Sequence, residues 1–415
     1  MLTRPGTWLR RFGFVTTNSI TQLFQRRTVE RHLTGKRPLS IIMAIPDHPW
    51  TKAGKDAAAV RIAMTVARAG SHEGKLGTVL SEAGLDTDQP QIELGTREGR
   101  INADLTIGSD LTQAAPLQSS GGLCSPGVKL HGAGFIVTPA EARALGLGHR
   151  AGLEDHIRSY RNGRDLMARS RDVMAVDLFG LTAEEVRERF PEIYQHLKLS
   201  VRVEREAQFR RSSTKDAAEY LESWWLFGKP RQQLRPALAH LQRYIVTVET
   251  AKHRVFQFLD ASILPDNMLV AVGLSDAFHL GILSSRIHIA WCLAQGATLE
   301  DRPRYSKSRC FDPFPFPNAT ESEKQAIRRS AEALDALRKR VLSEHPDLTL
   351  TKLYNIREAI RAGRTLTAAE ADIRDRGLVL ILDEYHDAID AAVAAAYGWP
   401  ADLAEEEVLA RLVAL

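Results

Sequence analysis

Arg304 to Pro317 reads RYSKSRCFDPFPFP, and GILSSRIHIAW lies shortly upstream at Gly281–Trp291. Pro313, Pro315 and Pro317 alternate with Phe314 and Phe316. Proline fixes φ and removes a backbone donor, so this run forms neither a helix nor a central strand. The pattern predicts an extended strap that presents its two Phe rings to a groove. Tyr305, Lys307 and Arg309 precede it, and alternate residues of an extended segment share one face. They are expected to form a polar stripe. Upstream, Leu280, Leu283, Ile287 and Ala294 fall on one side of a helix expected over Asp276–Ala294.

Working outward, the chain has three textures. Phe12–Thr17 is a short apolar run ending in Asn18 and Ser19, which are turn and cap formers. A helix rich in Arg is expected over Leu23–Leu33. Apolar strands follow at Leu39–Ile45 and in Ala57–Ala67, a pattern that belongs to an open α/β sheet. From Gly74 to about Gly134, short alternating pieces between Gly, Asp and Ser suggest small strands with long turns. Thr138 is placed to cap a helix over Pro139–Leu145, and Thr182 with Glu185 has capping-box spacing for Leu181–Phe190. Tyr194–Phe209 reads as helix, and Tyr244–Val248 and Met268–Val272 read as strands around a polar insert. Beyond Pro317 the pattern is helical, with segments at Glu321–Leu342, Leu350–Ala362, Gly377–Tyr397 and Ala401–Val413. Aspartates in DEYHDAID (Asp383–Asp390) are expected on the wet face of the third of these.

The 415 residues suffice for two or three domains with cores. A formal charge of +4 permits a polyanionic partner without requiring one. Cys124, Cys292 and Cys310 form no CxxC and no even framework, so they read as reduced thiols, consistent with a cytoplasmic location. No apolar run approaches the roughly 18 residues that span a bilayer.

Two blocks carry a family resemblance: GFVTTNSITQ (Gly13–Gln22), and the Ser284-Ser285 segment with its strap. Together they resemble the large bacterial S-adenosyl-L-methionine-dependent adenine-specific DNA methyltransferases with a fused target-recognition domain, the MmeI-like (type IIL) group. GFVTTNSITQ resembles the fifth strand of the methyltransferase sheet. SIIMAIPDHPW and AAAVRIAMTVA resemble its closing hairpin. VKLHGAGFIV (Val128–Val137), YRNGRDL (Tyr160–Leu166), WWLFGKPR (Trp224–Arg231) and TVETAKHRVFQFLD (Thr247–Asp260) resemble the recognition domain, in order. The implied class is α/β, with three parts. Residues 1–73 are a remnant of the open methyltransferase-type sheet, 74–318 a mixed α/β target-recognition domain, and 319–415 a C-terminal helical domain. The family's Gly-rich cofactor loop and its Asn-Pro-Pro-aromatic motif precede the matched region, and neither spelling occurs here. The expectation is the DNA-recognition and C-terminal portion of a restriction-modification or phage-defence methyltransferase, inactive alone, with no catalytic residue of its own. Its implied cofactor is S-adenosyl-L-methionine. Its implied partners are double-stranded DNA and a separate chain carrying the N-terminal half.

The resemblance also assigns candidate residues. Thr17, Asn18 and Ser19 either edge a pocket for cofactor or extruded adenine, or simply cap a helix. Lys252, His253 and Arg254 lie on the polar insert, where Arg254 would take a guanine bidentately. Read alone, Lys252 and Arg254 are loop charges, or partners of Glu249 or Asp260. Ser284, Ser285 and Arg286 mark a helix start where free N–H groups would hold a phosphate, or where Arg286 pairs with Asp276. Tyr305, Lys307 and Arg309 make the phosphate stripe. Trp224 and Trp225 suit a core or a domain seam. Two other classes remain: a non-enzymatic specificity fragment, and a metal-dependent nuclease built on Asp47 with Glu73-Gly74-Lys75.

Overall fold

The computed structural model describes residues 6–50, 60–85, 87, 89–111, 114–299 and 302–415. The opening residues of the expected Ala57–Ala67 strand lie outside these. The chain forms two compact units, residues up to 114 with 406–415, and residues 115–405.

The first unit is built on a sheet of β1 (Arg11–Thr17), β2 (Leu39–Pro49), β3 (Arg61–Ala69), β4 (Gly74–Ala83) and β5 (Gln91–Gly99), ordered β1-β3-β2-β4-β5. The β2–β3 pair is an antiparallel hairpin and β1 lies antiparallel on its outer side. The helix Leu23–Leu33 has the bounds its pattern implied. It covers the sheet through Val29 and Leu33, over Ile41, Ala44, Ala63 and Leu76. The expected boundary at residue 73 falls inside this sheet, because β4 runs parallel to β2. The small strands expected after Gly74 are instead long partners, nine paired positions joining β4 and β5. A Cβ on Gly74 would collide with the Ile41 carbonyl, so glycine permits that parallel approach.

Besides the antiparallel pair Ala297–Leu299 and Arg302–Arg304, the second unit carries two four-stranded sheets. They use β6 (Cys124–Pro126), β7 (Ile136–Val137), β8 (Ile157–Arg161), β9 (Met174–Val176), β10 (Arg243–Val248), β11 (Phe256–Asp260), β12 (Leu264–Pro265) and β13 (Leu269–Val272). One sheet runs β11-β10-β13-β6, wholly antiparallel, and the other β12-β8-β9-β7. The supposed polar insert after β10 therefore contains β11, whose Phe256 and Phe258 are buried. Thr138 and Thr182 form the capping boxes their spacing implied, with Glu141 and Glu185. The second sheet packs under helices through Phe135, Phe190, Ile193, Leu197 and Trp224, and Trp224 and Trp225 belong to this core. Arg205 is 2% exposed and donates all five N–H groups to carbonyls of Leu130, His131, Tyr220, Ser223 and Leu226.

The expected Asp276–Ala294 helix is two, Ala277–Ser284 and Arg286–Gln295, bent by 59°. Ser285 interrupts it: its backbone is extended (φ −72°, ψ 156°), and its hydroxyl receives the His288 N–H. Serine side chains compete with backbone bonding, and here the cap outweighs helical continuity. Phe314 of the strap is fully buried against His288 and Trp291, with ring centroids 4.3 and 6.1 Å away. Phe316 meets His279 at 5.5 Å, and the Tyr397 hydroxyl donates to Pro315 O at 2.6 Å. The strap thus fills the groove its alternation predicted. The long helix Glu321–Glu344 packs against Ala277–Ser284 and Val379–Ala396. A Cβ on Gly281 would enter the Ile327 side chain, so glycine sets that helix spacing. A helix at Ala368–Arg376, missed in the sequence, sits between Leu350–Arg361 and Val379–Ala396. Among the described residues, no single helix is long and apolar enough to cross a membrane.

Candidate nucleic-acid interface

The hairpin between β10 and β11 turns at residues 249–255 and stands between two concave surfaces. Its base is pinned: Tyr305 N donates to Glu249 O at 2.7 Å, and Arg304 Nε donates to the Glu249 carboxylate at 2.7 Å. The Glu249 carboxylate therefore serves Arg304, not Lys252 or Arg254, and Arg254 meets only the Glu249 main-chain carbonyl, at 3.4 Å. Lys252 reaches Asn355 Oδ1 at 2.9 Å and Glu358 at 3.1 Å, with more than half of its side chain exposed. His253 Nε2 lies 2.7 Å from Asn355 Oδ1, so that nitrogen carries the proton. Burial holds its pKa below the usual histidine value, which keeps the ring neutral.

Arg254 does not project as a base reader. Its guanidinium donates to Thr247 Oγ1 at 3.1 Å, Pro303 O at 3.0 Å and Val248 O, and lies over the Tyr305 ring. Desolvation lowers its pKa, yet carbonyls and a π face replace the lost water. Hairpin geometry turns the side chain inward, where position on a polar loop suggested outward. Tyr305 is likewise buried, 1% exposed, with its hydroxyl 3.2 Å from His288 Nε2. Residues Lys307–Phe311 form a π-helical turn, so Tyr305, Lys307 and Arg309 share no extended face and the expected stripe does not form.

Ser285 does begin a helix, but the Arg286 N–H is already taken by Asp390 Oδ1 at 2.6 Å. The Arg286 guanidinium donates to Ala401 O at 2.8 Å and to Leu403 O. Asp276, its other expected partner, instead holds Arg328 at 2.7 Å. Arg328 keeps that carboxyl at a pKa of about 2. Ser284 is buried, and its hydroxyl has no partner.

Lys252 lines both concave surfaces. One, of about 650 Å³, brings it together with Asn162 and Arg164 of the YRNGRDL segment and with Met268 beside β13. Asn162 caps the short Gly163–Met167 helix in a capping box with Asp165, and that turn leaves Arg164 exposed. The other, of about 500 Å³, joins Lys252, Arg254, Ser284 and Arg286 to Arg357, Arg361 and Asp390 of the C-terminal helices. The last three were missed in the sequence. Arg357 and Arg361 stand four apart, on one helical face, and that spacing was the available signal. Asp390 is not on a wet face: burial pushes its carboxyl up to about 6.

In the first unit, Thr17 and Ser19 bond one another at 2.6 Å, and Asn18 exchanges two hydrogen bonds with Asp47, at 3.1 and 2.9 Å. Asp47 also binds Arg61 at 3.1 Å, while Lys75 pairs with Glu98 at 3.2 Å. The carboxylate and lysine of the nuclease spelling are thus engaged elsewhere. No group of three or more His, Cys, Asp or Glu able to hold a metal occurs among the described residues.

Residues 131–318 match a family described as the target recognition domain of MmeI. The solved structure of the type IIL restriction-modification enzyme MmeI in complex with DNA is similar over 97% of this chain and 49% of that one, with a TM-score of 0.69 and 22% identity. That likeness concerns the fold. DNA methyltransferase A of Bacillus subtilis (strain 168) is 32% identical over 96 residues, 23% of this chain and 10% of that protein. The chain thus spans about half the length of the MmeI chain it resembles and a tenth of the Bacillus protein. Residues 131–318 thus match the MmeI target recognition domain family, and the mixed α/β fold of the chain is similar to that of MmeI.

Proposed function

We propose that this chain is the DNA-recognition and C-terminal portion of a site-specific, S-adenosyl-L-methionine-dependent adenine-N6 DNA methyltransferase of a restriction-modification system. The match of residues 131–318 to a target recognition domain carries this reading. The basic concave surfaces on either side of Lys252 support it. Exposed phosphates give sequence-independent affinity, and a few base contacts specify. Lys252, Arg164 and Arg302 are exposed cations of the larger surface, and Lys252 and Arg164 are assigned to phosphates. Arg254 and Tyr305 support the hairpin from beneath. His253, Ser284 and Arg286 line the smaller surface.

The cofactor loop and acceptor motif for adenine are to be supplied by the N-terminal half of the enzyme, in the same or a second polypeptide. β1 supports this. It is a sheet edge with Phe14 and Val15 each 58% exposed, and long apolar edges recruit further strands. Thr17, Asn18 and Ser19, at its carboxyl end, then border the cofactor or adenine pocket on completion of the sheet. The test is gel-shift titration of the purified chain against duplex DNA, with a methyl-transfer assay alongside. Binding that weakens with salt, with methyl transfer only after addition of the N-terminal half, supports the reading. Absence of duplex binding, or methylation of plasmid DNA by these 415 residues alone, overturns it.

A further inference from the structure

The smaller concave surface holds positive charge that its own carboxylates do not balance. Lys252 pairs with Glu358 at 3.1 Å, and Arg357 and Arg361 share Asp383 at 2.6 Å each. Arg254 and Arg286 lack such partners. Both give their guanidinium N–H groups to carbonyl or hydroxyl oxygens alone. Behind the wall, Arg338 is 1% exposed and bonds Phe256 O at 2.8 Å and the Tyr354 hydroxyl, again without a carboxylate. His253 and His386 also face the cleft, and burial keeps both neutral. Among the described residues, Asp390 is the one carboxylate lining it. Cations drawn out of water without counter-ions are costly, and a bound anion offsets that cost.

A second observation points the same way. Ser284 is 5% exposed, lines the cleft, and its hydroxyl has no hydrogen-bond partner. Buried hydroxyls are ordinarily paired, and this one is left without a partner in the wall of the cleft. The Arg286 N–H is closed by Asp390, so the helix start itself is not the receptor. Side chains converging from the hairpin, the helix break and two C-terminal helices are.

We propose that this cleft is a phosphate-binding pocket, in which the Ser284 hydroxyl and the Arg286 and Arg357 guanidiniums receive one phosphoryl group, while Arg254, whose Nη hydrogens are all engaged by protein oxygens, adds positive charge to its wall. A planar carboxylate uses two donors of a fork, whereas a tetrahedral phosphate accepts from several directions, which suits donors on three separate helices. The phosphate belongs either to a duplex backbone or to a free phosphorylated compound. Asp390 opposes it, so neutralising that carboxyl favours occupancy.

The test is calorimetric titration of inorganic phosphate into the full chain. Saturable binding is expected, weakened several-fold in Ser284→Ala with an unchanged melting temperature, since the hydroxyl has no partner to lose. Asp390→Asn should tighten it several-fold. Repeating the titration with saturating duplex separates the sources: competition identifies a backbone phosphate, and undiminished binding a free phosphoryl ligand. Absence of saturable binding, or equal affinity in wild type, Ser284→Ala and Asp390→Asn, overturns the pocket. Duplex binding retained by a chain that takes no phosphate overturns the pocket and leaves the recognition reading standing.

Discussion

Replacing Arg205 with methionine keeps the length of the side chain and removes five donated hydrogen bonds at once. The guanidinium has five N–H groups, and here each meets a main-chain carbonyl. Desolvation lowers its pKa only to about 10, so the group remains cationic at neutral pH. Each carbonyl left without a donor in the interior costs about 1 kcal/mol at the lower end of the usual range. Five therefore sum to about 5 kcal/mol. Removing a buried cation returns part of that, and the net expected loss is about 3–5 kcal/mol, comparable with breaking a buried charge network. Domains are stable by only about 5–15 kcal/mol, so the recognition unit would be close to unfolding. Urea denaturation followed by tryptophan fluorescence reads this directly, because Trp224 and Trp225 lie in the core beside Arg205. Lysine, with at most three donors, should fall between. A methionine variant within about 1 kcal/mol of wild type would refute the view that this guanidinium ties the segments together.

Ser285→Ala should destabilise the chain by about 1–2 kcal/mol through loss of the helix cap and of the bond its hydroxyl donates to Ile282 O, read as a lowered melting temperature, and Ser285→Asp should not restore it, because a carboxylate buried there has no proton to donate to that carbonyl. Asp390 has its folded pKa raised to about 6, so it disfavours folding above that pH, and the penalty fades as pH falls towards the unfolded value. Asp390→Asn should therefore be more stable than wild type at pH above 6, with the difference closing in more acid solution; a constant difference across the range counts against this. Asp276 behaves oppositely: its pKa is depressed to about 2 by Arg328, so its contribution is present above the unfolded carboxyl range and is lost as pH falls through about 2. Arg328→Ala should remove that part of the acid limb. For duplex binding, Arg164→Ala should reduce the slope of log affinity against log salt by about 0.9, and a slope equal to wild type would exclude Arg164 from phosphate contact.

Much of the fold follows from short-range rules. The Thr138 and Thr182 capping boxes, the Leu23–Leu33 helix and the proline strap depend on neighbours within a few residues, and the structure contains them as expected. Long-range pairing was harder to see. β4 and β5 look like fragments because their outer faces are polar, yet they extend the first sheet through β2. The Ser284-Ser285 pair reads equally as helix interior or as a break, and packing of the two apolar helices around the strap decided for the break.

The candidate site divides the same way. Alternating prolines, hydroxyl caps and the order of basic turns are local properties, so the sequence alone determined the strap, the helix starts and the recognition-domain likeness. Side-chain direction is not local. Whether Arg254 faces solvent or Pro303 O, and whether Tyr305 or Asp390 is wet, depends on what arrives from 50 to 100 positions away, as in the Arg254–Pro303 and Arg286–Asp390 bonds separated by 49 and 104 residues. Only the tertiary structure supplied those partners, because burial is a property of the assembled core and not of the residue that enters it.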